Sequence, residues 1–175
     1  LINHLTRSVV RLSNRLRAVL LRYYPSALHV FSNLRTQIAL EFIRSYPTPA
    51  TAMALALDDF KAFAHRHGYT QPKRLPECFA RLQVARPQAT PETILVFRDE
   101  AVLLATHLLH AVRSKNATLR DLQTLFKQHP DRDIFDSLPG AGKFLAPALL
   151  VKFGDDRQRF PAAASVQALA GTCPV

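Results

Sequence analysis

The sequence predicts an all-α fold: long, coiled-coil-like helices followed by a helix-hairpin-helix near the C-terminal end. Three observations predict it. Apolar residues recur by three and four through the first 24 residues and again between Ile94 and Leu125, the spacing that keeps one apolar seam along a helix. Thr-Pro pairs, glycines and prolines punctuate the chain in the order that starts and stops helices. No stretch reads as a sheet.

Composition sets the bounds. A chain of 175 residues with 48% apolar residues can build one or two domains with a real core, and is not disordered. Lys and Arg number 23 against 13 Asp and Glu, a net charge of +10. The sequence pI is about 10.3. Such an excess suits a polyanionic partner, nucleic acid or less often an anionic membrane surface, and its plainest alternative is a solvated basic surface. The two cysteines, Cys78 and Cys173, lie far apart without metal-ligand spacing, which argues against a disulfide framework or a zinc finger. No run of about 18 apolar residues suggests a membrane span. The chain starts at Leu1 without an initiator Met or a signal-peptide pattern, as expected of an intracellular protein whose front has been removed.

The elements follow in order. Ile2, Leu5, Val9, Leu12, Leu16, Val19 and Tyr23 form the first seam, and Arg7, Arg11, Arg15, Arg17 and Arg22 fall off it with no acid in the segment. These cations form either a solvated face or a basic rod lying near phosphates. Pro25 closes this helix. Ala27, Phe31, Leu34, Ile38 and Phe42 predict a second helix ending before Pro47. Thr48 is a candidate N-cap with Pro49 at the first helical position. Asp58 is the expected cap of a short helix through Phe60 and Phe63 to His67, stopped by Gly68. The Pro-rich basic stretch that follows reads as a loop around a short helix near 76–84. Thr90-Pro91-Glu92 starts the longest helix, with cap, proline and first-turn acid in order. Its seam runs through Ile94, Phe97, Ala101, Leu104, Leu108, Ala111, Lys115, Thr118, Leu122 and Leu125, and Pro130 ends it. At 1.5 Å per residue it reaches roughly 57 Å, and the first helix is its natural partner, within the chain or across a dimer.

"SLPGAGKFLAPALL", 137–150, holds two glycines between short apolar runs. Ile134, Phe135 and Leu138 predict one short face; Phe144, Leu145, Ala148, Leu149 and Val151 predict another. Gly140, Ala141 and Gly142 then form the turn of a helix-hairpin-helix, because glycine reaches positive φ without a Cβ clash. The first amides of the second helix lack intrahelical partners, and with Lys143 beside them they suit a phosphate oxygen. The nucleic-acid-binding candidates are therefore Gly140, Ala141, Gly142, Lys143, Arg7, Arg11 and Arg15, reading phosphates and not bases. Pro147 would remove one helix hydrogen bond, at roughly 3 kcal/mol if it stands in a regular helix interior.

The segment "DSLPGAGKFLAPALLVKFGDDRQRFPAAASVQALAGTCPV" resembles the start of the C-terminal domain of transposases of the insertion-sequence one-ten family (also one-sixteen or nine-oh-two), which includes the Piv DNA invertases. The matching elements are "LPGAG", "LL..FGD" and "RFP.A.S..ALAG..P". "RLSNRLRAVLLRYYP" and "SYPTP" resemble the family's middle region, so the likeness covers nearly the whole chain. The expected division is 1–129, a helical coiled-coil region, and 130–175, the beginning of the C-terminal domain. The resemblance implies a recombinase of mobile DNA with a Mg²⁺-binding RuvC-like acidic site, a catalytic serine, DNA and structured guide RNA as partners, and a bacterial, nucleoid-associated cytoplasmic location. This chain shows no RuvC-like strands, and the family's serine aligns after its "AG..P" segment. Neither half of the active site is expected within it, and no catalytic residue, metal site or cofactor is assigned.

Other constellations are weak. Asp155-Asp156 reads as loop acids, Asp131, Asp133 and Asp136 as acids favouring a short helix start, and Ser165 as part of an apolar helix. His107 and His110 could share a helix face without further ligands, and His65 and His67 point to different faces. Two further readings stay open: a helical oligomerisation module, and an unrelated DNA-repair protein with a similar hairpin.

Overall fold

A computed structural model describes residues 1–84 and 89–172. Among these the protein is all-α, with no strand. Packing gathers the chain into two compact units, Leu1–Asn116 and a second from Ala117 onward, the division falling inside the longest helix.

Helix α1, Ile2–Tyr23, follows the predicted seam: Val9, Leu16, Val19 and Tyr23 are buried, and Leu12 packs against the same core. Ser13 is buried beside them. Its hydroxyl donates to the Val10 carbonyl and accepts from Arg35 Nε, so this buried polar group is satisfied. Tyr23 Oη donates to the Pro47 carbonyl at 2.9 Å, tying the end of α1 to the start of the fourth helix.

The single helix expected over Ala27–Phe42 is two, α2 (Ala27–Val30) and α3 (Gln37–Ser45). The break is chemical. Asn33 Oδ1 accepts from the Arg35 amide, a local turn that competes with the helix, and Thr36 Oγ1 then caps α3 by accepting from the Ala39 amide. Thr48 caps α4 (Pro49–Met53) with Pro49 at its first position, in a reciprocal box with Thr51. Helix α5 (Leu57–Arg66) starts two residues earlier than Asp58 as its cap would have it: Ala56 is the N-cap, and Asp58 lies in the first turn paired with Lys61. His67 and Gly68 (φ +67°) stop it. A 3-10 turn, Pro72–Arg74, leads into α6 (Leu75–Gln83).

Helix α7 spans Pro91–Lys127, about 55 Å. Thr90 Oγ1 accepts from the Thr93 amide. The first-turn backbone and Thr90 hold the Glu92 carboxyl below its usual range, as expected of an acid at a helix start. In the first unit Ala101, Ala105 and Leu108 are fully buried, the alanines being small enough to admit neighbouring side chains close to the helix. The end of α1 meets the beginning of α7: Arg22 lies over the Phe97 ring at 5.1 Å, and Arg15 pairs with Glu100 at 2.7 Å. These two contacts join α1 and α7 within the first unit. Farther along, Arg113 of α7 and Arg44 both bind Glu41 of α3.

The first unit is centred on an aromatic cluster. Phe42 is fully buried and meets Phe31, Phe60, Phe63 and Tyr46 at ring separations of 5.2–6.0 Å. Cys78 is buried with its Sγ 3.7 Å from the Tyr69 hydroxyl; Cys173 lies outside the described residues.

The second unit contains the end of α7, α8 (Arg132–Asp136), α9 (Leu145–Phe153), a 3-10 turn (Arg157–Arg159) and α10 (Ala163–Ala170). Its small core is Phe126, Phe135, Ala146 and Leu150. The predicted seam position Leu125 is 66% exposed, and its neighbour Phe126 is buried instead.

Candidate nucleic-acid interface

The corner between α8 and α9 is built from a few backbone bonds. The Ala141 amide donates to the Leu138 carbonyl at 3.0 Å, and the Gly142 amide to the Gly140 carbonyl at 2.9 Å. Gly140 sits at φ +78°, where a side chain would be strained. Gly142 lies outside the left-handed region, and a Cβ on either glycine would meet nothing within 4 Å. Close packing inside the chain therefore requires neither. The Ala146 amide returns to the Gly142 carbonyl, and Gln123 Nε2 donates to the Lys143 carbonyl. The amides of Lys143, Phe144 and Leu145 have no acceptor among the described residues. Gly140, Gly142 and Lys143 are all exposed.

The two flanking helices pack by different faces from those expected. In α8 only Phe135 is buried, while Ile134 is 60% exposed; Leu138, past the helix end, is also exposed. In α9 the buried residues are Ala146, Pro147 and Leu150, with Phe144, Leu145 and Val151 exposed. Phe135 and Phe153 meet at 5.7 Å and hold the helices together. Pro147 costs α9 nothing, because it is the third helical residue and first-turn amides have no intrahelical partner to lose.

The cations of α1 divide into two groups. Arg7, Arg11 and Arg15 stand four residues apart on one stripe. Arg15 is engaged, with Nε and Nη2 both donating to Glu100 Oε1. Arg7 and Arg11 are exposed and have no side-chain partner among the described residues. Arg11 and Arg15 also line an open groove of about 510 Å³ with Glu100 and His107. The sequence gives no hint of the Arg15–Glu100 pair, which joins residues 85 positions apart. These α1 cations and the α8–α9 corner belong to different units.

The acids are occupied locally. Asp155 accepts from His129 Nε2 at 3.3 Å, and His129 Nδ1 accepts from the Asp131 amide. Asp156 accepts from the Gln158 amide, and Asp133 pairs with Arg132. No three His, Cys, Asp or Glu side chains come together among the described residues, so these residues do not fit the Mg²⁺ that the resemblance implies. Ser165 lies in α10, and His110 meets Ser114 on α7. No helix among the described residues is long and apolar enough to cross a membrane.

Comparison with known proteins places this architecture. The sequence model of the Transposase IS116/IS110/IS902 family matches residues 132–175, the segment that begins with α8 and the glycine corner. A Streptomyces coelicolor protein named as a mini-circle transposase for IS117 is 30% identical over 174 residues, covering 94% of this chain and 41% of the relative. An insertion element IS110 protein of 43.6 kDa from the same organism is 28% identical over 177 residues, covering 97% and 42%. The chain thus spans about two fifths of the length of the curated relatives it matches. No solved structure matches it. The family match that begins with α8, and the likeness to both relatives over almost the whole chain, support a relationship to the IS116/IS110/IS902 transposase family.

Proposed function

We propose that this chain is a nucleic-acid-gripping scaffold of a transposase, holding DNA, and structured RNA of the same mobile element, while chemistry occurs on parts of the protein outside residues 1–175. The observation that carries this reading is the exposed corner from Gly140 to Lys143. Three consecutive amides there have no partner among the described residues, an exposed lysine stands beside them, and, while the positive φ of Gly140 accounts for that glycine, no neighbour in the chain occupies the place of a Cβ on Gly142. Backbone donors at a helix start, with a full positive charge next to them, match a phosphate oxygen. Arg7 and Arg11 offer a second contact to a phosphate chain. The Mg²⁺ and the serine implied for the family belong to the longer protein, and a bacterial, nucleoid-associated location follows from the same reading.

Binding by this means is salt-dependent and indifferent to sequence. Each duplex phosphate neutralised contributes about 0.9 to the log–log salt slope. Fluorescence anisotropy with a duplex at several salt concentrations should give a slope that falls by about one for Lys143→Ala and again for Arg7→Ala or Arg11→Ala. Arg15→Ala should change it less, because that guanidinium is already held by Glu100. Tight binding unaffected by salt, or a change of base preference in Lys143→Ala, contradicts the proposal.

A helical oligomerisation module is favoured by a separate observation. Leu95, Val96 and Leu103 of α7 are 55–67% exposed, an apolar strip facing away from the first unit's core. Sedimentation velocity across micromolar concentrations checks it: a dimer broken by Val96→Glu with Leu103→Glu supports it, and a monomer throughout removes it. The two readings are compatible in one transposase.

A further inference from the structure

A cavity of about 280 Å³ opens in the first unit between the α2–α3 loop and the loop that follows α5. It lies just below the usual size of small-molecule sites, roughly 300–1,000 Å³, so it has room for one base and little more. Phe31 and Tyr69 provide aromatic wall, and the Tyr69 hydroxyl is anchored at Cys78, which fixes that ring. Ser32, Thr36, Gln37, His67, Thr70 and Gln71 provide the polar part of the lining.

The polar part is rich in donors. Gln71 Oε1 accepts from Arg74 Nη1 at 3.1 Å, and the Gln71 amide nitrogen has no acceptor among the described residues. The backbone amides of Gln37 and Ile38, in the first turn of α3, have no acceptor among the described residues, since the Thr36 cap serves Ala39. Gln37 carries an uncommitted side-chain amide as well. Exposed Arg66 and Lys73 stand on either side of this loop in sequence, without side-chain partners among the described residues. Aromatic wall and donor-rich edge together match an unstacked base.

We infer that this cavity seats one unstacked, carbonyl-bearing base (uracil, thymine, cytosine or guanine) of a single-stranded stretch of nucleic acid. The inference rests on the nucleic-acid reading above and adds to it a base-reading site in the first unit. Adenine has no exocyclic oxygen for these donors and fits least.

The test compares fluorescein-labelled ten-residue oligo-U and oligo-A strands by anisotropy at about 0.3 M salt, where the phosphate contribution is weakened. The whole chain should prefer oligo-U about three- to tenfold, as one or two hydrogen bonds allow. Gln71→Ala should lose that preference while binding a duplex as the parent does; Lys143→Ala should weaken both strands alike and keep it. Millimolar uridine monophosphate should displace oligo-U better than adenosine monophosphate does. Because Gln37 and Gln71 are exposed, their alanine variants should keep the parent's circular dichroism. Equal binding of the two strands, or a preference that survives in both Gln37→Ala and Gln71→Ala, overturns the base site and leaves the scaffold reading standing. Failure to bind any duplex or strand overturns both.

Discussion

Phe42→Ala is expected to remove most of the first unit's stability. Phe42 is fully buried, and four other aromatic rings contact it from α2–α3, α5 and α3 itself. Truncating a buried phenylalanine costs about 3–5 kcal/mol, part lost transfer energy and part cavity. The surrounding rings cannot collapse into that space without disturbing the Phe31–Phe60 stack and the edge-on Tyr46–Phe63 contact, each worth about 0.5–1.5 kcal/mol. A domain is typically stable by about 5–15 kcal/mol, so the variant should be marginal or unfolded at 37 °C. Urea titration followed by far-ultraviolet circular dichroism measures the loss. A midpoint within error of the parent's would mean that the cluster is not the centre of the core.

The second large effect is alkaline. Tyr23 and Tyr24 are adjacent, buried, and 6.0 Å apart between rings. Burial raises both phenols well above their ordinary value of 10.0; for Tyr23 nearby Arg98 opposes this and Asp99 reinforces it, and for Tyr24 the neighbouring Tyr23 reinforces it. The sign follows. Below pH 10 both hydroxyls are neutral in the folded and unfolded chain, and the contribution to stability is complete. Above pH 10 the unfolded chain ionises first, so stability falls by about 1.4 kcal/mol per pH unit for each tyrosine. Between pH 8 and pH 11 the combined loss should be about 3 kcal/mol, read as a fall in the urea midpoint. Tyr24→Phe should halve it. At neutral pH the same change should be neutral or stabilising by about 1 kcal/mol, because the Tyr24 hydroxyl is buried with no hydrogen-bond partner. Tyr23→Phe should instead destabilise, since it removes the bond to the Pro47 carbonyl. A midpoint that stays constant to pH 11 would contradict the burial of both phenols.

Much of the helical plan was legible in the residues. The seams of α1 and α7 were readable because each spans several turns and alternates sharply with polar positions. Thr48-Pro49, Thr90-Pro91 and Gly68 marked ends through local chemistry that acts within three or four residues. The division of α2 from α3 was also local, since Asn33 and Thr36 make the break, yet the apolar spacing ran across it and concealed it. The buried face of α9 was not legible. Nearly every residue from Leu145 to Phe153 is apolar, so periodicity cannot choose between Val151 and Ala146. The candidate site divides the same way. "GAGK" announced a turn with a charge at its exit, whereas the engagement of Arg15 by Glu100 and the grouping of Gln37 with Gln71 had no mark in sequence.

The sequence by itself determined the all-α class, where most helices begin and end, the excess of cations and the family likeness, because each depends on neighbours within a turn or two, on total charge or on the order of motifs. Only the tertiary structure decided which arginines on α1 stay available, which side of α9 faces the core, and that two distant loops enclose a donor-rich cavity. Those outcomes depend on which surfaces meet after folding, and residues far apart in the chain carry no local record of the partner they will find.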